Sequence, residues 1–182
     1  HLTKDEGSNL IKLIVKNSGT PIIVDEAPSS QPANYKTGHP IGSQTIYYGC
    51  PGSGKSYEVK MIAEGENGEK IIKYSDGTTN VFRTTFHPDY DYATFVGCYK
   101  PVKNEENELD YRFVPQVFTN AYIQALRHTD NPIYLIIEEI NRGNCAQIFG
   151  DLFQLLDRTN GESDYSIIPD SELAKYLKGQ GV

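Results

Sequence analysis

The eight residues "GCPGSGKS", Gly49 to Ser56, constrain this chain more than any other stretch. They fill G-x-x-x-x-G-K-[ST] at every specified position, and their setting matters as much as the pattern. Thr45 to Tyr48 are β-branched or aromatic, as in a short buried strand. "SYEVKMIAEG" then reads as a helix stopped by Gly65. A strand, a glycine-rich turn and a helix in that order form a phosphate-holding loop. The glycines admit positive φ and let backbone N–H groups approach an anion, and the helix points its positive end at the same place. On this reading Gly49, Cys50, Pro51, Gly52, Ser53, Gly54, Lys55, Ser56 and Tyr57 line a nucleotide. Lys55 reaches the β- and γ-phosphates, and the Ser56 hydroxyl ligates Mg²⁺.

The second informative stretch is "IYLIIEEINRG". "PIYLII" is a continuous apolar run of strand length, as expected for a parallel strand covered on both faces. It ends on Glu138 and Glu139. Ligands of open α/β sheets lie at that end of the strands. A carboxylate there supports Mg²⁺ through water and the next one activates the attacking water. Glu138 is the candidate for the first role and Glu139 for the second.

Elsewhere the chain alternates between the two periods. "NVFRTTF" alternates as a strand does, and "DYDYATFVG" reads as a short helix capped by Asp and ended by Gly97. "CYKPV" and "LDYRFVP" flank "KNEENE", a β-hairpin whose tip carries Glu105, Glu106 and Glu108 into solvent. In "VFTNAYIQALRHT" one helical stripe holds Val117, Phe118, Ala121, Tyr122, Ala125 and Leu126. "CAQIFGDLFQLLDR" returns to helical period, and "KIIKY" is a possible strand between two turns. At the N-terminus "SNLIKLIVKNSG" suggests a short amphipathic helix ending at Gly19, followed by a Pro-rich linker. The fold class is therefore α/β, a parallel sheet flanked by helices with an inserted β-hairpin. Residues 1–44 read as an N-terminal helix and linker, and 45–182 as the nucleotide-binding domain.

Composition narrows the class further. Seventeen Lys and Arg against twenty-four Asp and Glu leave a net charge of −7. That argues against the chain as a whole clamping nucleic acid, which needs a basic face. Cys50, Cys98 and Cys145 are widely spaced, form no CxxC and suit reduced thiols of a cytoplasmic protein. No apolar run approaches the ~20 residues of a membrane span. The chain opens on His1 without a signal-peptide pattern, which reads as a trimmed or internal start. His87 lacks a second ligand at zinc spacing, and Phe86, Tyr90, Tyr92 and Phe95 read as core packing rather than a base-stacking surface.

Taken together, "GCPGSGKS", "TTFHPDYDYATFVGCYKP" and "LIIEEINRGNCAQIFGDLFQLLDR" resemble the AAA+ ATPase superfamily, and within it the McrB type, the nucleotide-hydrolysing motor of modified-cytosine restriction systems. The resemblance runs from about Thr45 to Pro169, and "FHPDYDYATFVGCYKP" is what narrows it. It implies a P-loop NTPase, here a partial AAA+ large subdomain whose C-terminal strands and helical lid lie outside this chain. It also implies a ring, usually a hexamer, with GTP or ATP between subunits, a McrC-like nuclease partner, and DNA recognition by other domains. Arg142 would lie toward a neighbouring subunit; Arg158 ends the following helix, where a cation suits the helix dipole, and a place toward a neighbouring subunit's nucleotide is its alternative. The usual strand end of the superfamily is Asp-Glu; here Glu138 takes the Asp place. "EEINR" is shared with the MoxR-like branch, so a chaperone ATPase of that kind is an alternative. A nucleotide-gated scaffold with little hydrolysis is another.

Overall fold

The computed structural model describes residues 12–16, 44–159, 162–163 and 166–181. In chain order the elements are strand β1 (Lys12–Lys16), β2 (Gln44–Tyr47), helix α1 (Lys55–Ala63), β3 (Val81–Thr85), α2 (Tyr92–Phe95), β4 (Gly97–Lys103), β5 (Leu109–Pro115), α3 (Val117–Arg127), β6 (Tyr134–Glu138), α4 (Cys145–Phe149), β7 (Arg158–Thr159), β8 (Glu162–Ser163) and α5 (Ser171–Gly179). Short 3₁₀ segments cover Ile140–Arg142 and Gly150–Leu156.

The central sheet has four parallel strands in the order β2-β1-β6-β3. Strand β1 corrects an expectation: the stretch that suggested an amphipathic helix is a strand over Lys12–Lys16, paired on both edges. Its apolar residues are consecutive and include β-branched Ile14 and Val15, a pattern that suits an inner parallel strand as well as it suits a helix. The sheet therefore draws on residues N-terminal to the expected start at Thr45; the rest of the expected N-terminal helix and linker lies outside the described residues.

Side-chain alternation along β6 divides the core. Tyr134 and Ile136 point to one face, where Val59 and Ala63 of α1 cover them together with Tyr47, Ile62 and Val81. Leu135 and Ile137 point to the other, into a larger cluster built from Phe86, Phe95, Ile123, Ile148, Phe149 and Leu173 among others. Alternation with period 2 thus sets which helix meets which residue. The expectation of an inner strand covered on both faces holds for β6, whose first four residues are buried. It fails for β2, where Gln44, Thr45 and Ile46 are exposed because this strand lies at the sheet edge.

The aromatic group after β3 is core, as expected. Phe86, Tyr90 and Phe95 are buried and meet ring to ring at centroid distances of 4.9 to 6.4 Å. Asp91 caps α2, accepting from the Thr94 amide at 2.8 Å and the Thr94 hydroxyl at 2.7 Å. The Thr94 hydroxyl, then its amide, hold the Asp91 carboxyl below its ordinary range. The β4–β5 hairpin forms in register from Gly97↔Pro115 to Lys103↔Leu109, and Glu105, Glu106 and Glu108 are exposed at its tip.

Four further stretches depart from expectation. "KIIKY" forms no strand; Lys73 makes one isolated bridge to Thr79. The helical reading from Cys145 to Arg158 breaks at Gly150, whose φ of 50° leaves the α region, and continues as 3₁₀. Helix α3 buries Ala121 and Ala125 of its expected stripe together with Ile123 and the polar Thr119 and Gln124, while Val117, Phe118, Tyr122 and Leu126 are half-buried. Thr119 donates to the Val96 carbonyl at 2.7 Å, and Gln124 Nε2 to Asp76 at 2.5 Å, while the buried Gln124 Oε1 has no hydrogen-bond partner among the described residues. Helix α5, capped by Asp170 and packed through Leu173 and Leu177, was not anticipated from the sequence.

Candidate functional site

The register of the sheet assembles the site. Tyr47 pairs with Lys16, Lys16 with Glu138, and Glu138 with Thr85, so these four residues form one row at the C-terminal edge. The glycine loop leaves this row from β2 and the acidic pair leaves it from β6. One strand separates them, so the two chain exits are about 10 Å apart, twice the usual strand spacing.

The loop itself is open. Cys50 to Gly54, Ser56 and Tyr57 are exposed and Lys55 half-buried. Gly49, Gly52 and Gly54 have φ of 149°, 79° and 85°. An added Cβ at Gly52 or Gly54 would meet nothing within 4 Å, so these glycines serve conformation and approach rather than packing. Gly54 also stands at the N-cap of α1 in the left-handed region with no side chain to cap the first turn. The Lys55 ammonium folds back into the loop mouth, donating to the carbonyls of Gly49 at 2.6 Å and Cys50 at 2.7 Å, with the Ser53 hydroxyl at 3.3 Å. A cation, an uncapped helix start and two unobstructed glycines together form a cradle for an anion.

Alternation along β6 puts Glu138 on the face of Tyr134 and Ile136, the same face that α1 covers. Glu138 therefore shares its side of the sheet with the helix that carries Lys55 and Ser56. Glu139 breaks the alternation: its φ of 54° and ψ of 41° are left-handed, rare for a residue with a Cβ, and it starts the 3₁₀ turn through Arg142. Non-glycine residues in that region concentrate where a side chain must be aimed. Glu138 thus keeps the strand register, and Glu139 is the residue at which the strand ends.

Among the described residues no group of three or more His, Cys, Asp and Glu gathers as a metal cluster. Ser56 lies in the first turn of α1, and Glu138 stands on the face of the sheet that α1 covers, so the expected donors are one hydroxyl and one carboxylate. That set suits Mg²⁺, which retains waters and takes its remaining ligands from bound phosphates, and does not suit an all-protein cage.

The other expected residues are placed as follows. Arg142 is exposed at the end of the 3₁₀ turn that follows Glu139. Arg158 begins β7 rather than ending a helix, and its side chain lies outside the description. His87 is exposed and contacts the Tyr90 ring at 5.2 Å. Cys50, Cys98 and Cys145 are free thiols, and burial pushes the Cys145 thiol up. A cavity of about 460 Å³ lined by Tyr92, Phe118, Tyr122, Asp151 and Leu173 contains none of the loop or acidic-strand residues. Burial, then the nearby Asp170 and Asp151, push the Tyr92 hydroxyl up to about 12.

Two residues no motif marks also belong to this region. Arg83 of β3 donates through Nη1 to Glu138 Oε1 at 3.3 Å, and through Nε at 2.9 Å and Nη2 to Glu64 at the C-cap of α1. The only sequence signal was a cation in mid-strand, at a position that alternation assigns to the α1 face.

No protein-family model matches the chain. It is 41% identical to the Type II restriction enzyme BsuMI component YdiS of Bacillus subtilis (strain 168), over 78% of this chain and 46% of that protein. It is 28% identical to the Type IV methyl-directed restriction enzyme EcoKMcrB subunit of Escherichia coli (strain K12), over 70% of this chain and 25% of that protein. The chain thus spans less than half the length of these curated relatives. No helix among the described residues is long and apolar enough to cross a membrane. The chain is related to components of restriction systems.

Proposed function

We propose that this chain is the nucleotide-binding part of a McrB-type AAA+ motor that binds and hydrolyses GTP or ATP with Mg²⁺ in a restriction system. The observation that carries the reading is the single row Tyr47–Lys16–Glu138–Thr85, from which the glycine loop and the acidic pair leave at the same edge of the sheet, one strand apart. The Gly49–Tyr57 loop holds the phosphates, Lys55 exchanging its two carbonyl partners for phosphate oxygens. Ser56 and Glu138, on one face of the sheet, hold Mg²⁺, Glu138 through water. Mg²⁺ when bound neutralises charge on the phosphates. Glu139, the next residue, set in a left-handed backbone turn, takes the proton of the attacking water. The similarity to two restriction-system components supports the setting. In it, the motor assembles as a hexameric ring in the cytoplasm, Arg142 and Arg158 face neighbouring subunits, a McrC-like nuclease is the partner, and other domains recognise DNA.

The test is nucleotide binding and phosphate release by the full-length protein carrying this sequence. Lys55→Ala is expected to abolish binding of labelled GTP and ATP. Glu139→Gln is expected to bind both normally while losing turnover at least a hundredfold, a typical loss for a general base. Undiminished affinity of the Lys55→Ala protein would overturn the reading.

A further inference from the structure

Arg83 lies in the middle of edge strand β3, level with Ile136 on the α1 side of the sheet. Its guanidinium spans two carboxylates that no motif connects. Two of its nitrogens, Nε at 2.9 Å and Nη2, converge on Glu64 Oε1, whereas Nη1 alone reaches Glu138 Oε1, at 3.3 Å. The Glu64 contact is the closer and more enclosed one: its side chain is 18% exposed against 32% for Glu138. The planar fork of an arginine can serve both acids at once, which a lysine cannot.

We propose that Arg83 is a movable counter-charge on Glu138, anchored by Glu64, and that this pair sets the divalent-cation affinity of the site. The inference rests on the reading of Glu138 as the carboxylate that supports Mg²⁺. An incoming ion takes Glu138 out of its ion pair, and the guanidinium remains held by Glu64, so the exchange leaves no charge unpaired. Arg83 is thus a positioning residue that acts through Glu138. Glu64 ends the helix that the glycine loop begins, so the pair also ties the far end of α1 to the acidic strand. Without Arg83, that competing cation is gone. Without Glu64, the guanidinium turns fully to Glu138 and competes harder. The two substitutions therefore act in opposite directions, which a general loss of structure does not produce.

The experiment titrates Mg²⁺ into the full-length protein with the fluorescent N-methylanthraniloyl derivatives of GTP and ATP, and reads the Mg²⁺ concentration for half-maximal binding. Arg83→Met is expected to lower that concentration roughly three- to fivefold, the scale of one exposed ion pair. Glu64→Gln is expected to raise it by a similar factor. In the Arg83→Met background Glu64→Gln should have no further effect, since Glu64 acts through Arg83. Shifts of both single variants in one direction, no shift in either, or a Glu64 effect that persists without Arg83 would overturn the proposal while leaving the nucleotide-binding reading intact. Wild-type binding that ignores Mg²⁺, or is unchanged by Glu138→Ala, would remove that reading and this inference with it.

Discussion

At the scale of single residues, the chemistry lies in side chains at the ends of elements. Glu139 is one; Asp91, which caps the turn before the hairpin, shows how such local chemistry responds to pH. Hydrogen bonds from Thr94 favour the ionised form of Asp91 and depress its folded pKa below the unfolded value near 4. The stability it contributes is therefore complete above about pH 4 and lost as pH falls through the lower folded value. Asp91→Ala is expected to cost about 1 kcal/mol at neutral pH. Urea unfolding of both proteins at pH 7 and pH 3 checks this: the difference should shrink at pH 3. A constant difference would mean that the capping charge plays no part. Residues of this kind were legible in advance. Lys55, Ser56, Glu138, Glu139 and the Asp cap all carry a pattern of residue type and spacing that has a local physical cause. Arg83 and Glu64 were not, because their pairing joins chain positions that only sheet register brings together.

At the scale of elements, the hairpin depends on its first residue. Gly97 has φ of 133°, and an added Cβ would stand 2.6 Å from the Val114 carbonyl oxygen and 2.8 Å from the Phe113 ring. Gly97→Ala combines backbone strain with overpacking, and is expected to destabilise the fold by about 2–5 kcal/mol, seen as a lower urea midpoint. A midpoint unchanged from wild type would mean the backbone relaxes without cost. The hairpin, α3 and β6 were each legible from their hydrophobic period and bounding turns, and α1 from the glycine loop before it and Gly65 after it. Strand β1 was not, since five residues of "KLIVK" satisfy both periods and only its pairing with β2 and β6 decides between them. The run from Cys145 failed in the opposite sense: helical spacing of Ile148, Leu152 and Leu155 persists, but Gly150 turns the backbone out of the α-helix.

At the scale of the whole molecule, Asn80 ties together segments distant in the chain. It is 1% exposed. Its Oδ1 accepts from the Ile72 amide at 2.7 Å, and its Nδ2 donates to the carbonyls of Lys70 and Pro132, each at 3.3 Å. Its own carbonyl accepts from the Tyr134 amide at 2.8 Å, fixing the start of β6 beside β3. Asn80→Ala keeps the backbone bond but removes three side-chain hydrogen bonds to the part-buried Ile72 amide and Lys70 and Pro132 carbonyls, at a cost of about 2–3 kcal/mol. Thermal unfolding should show the loss as one cooperative transition at lower temperature. A Tm within a degree of wild type would mean that water replaces the side chain.

The sequence by itself determined the loop, the acidic strand end, the hairpin and the aromatic packing after β3. Each is set by interactions within a few residues: glycine φ angles, helix starts, strand alternation and turn chemistry. Tertiary structure decided what lies beside what. Pairing across the sheet placed β1 between the loop strand and the acidic strand, exposed β2 at the edge and brought Arg83 between Glu64 and Glu138. The physical reason is that register and strand order are set by the burial of a whole face against distant helices. The free energy of that burial belongs to no single segment.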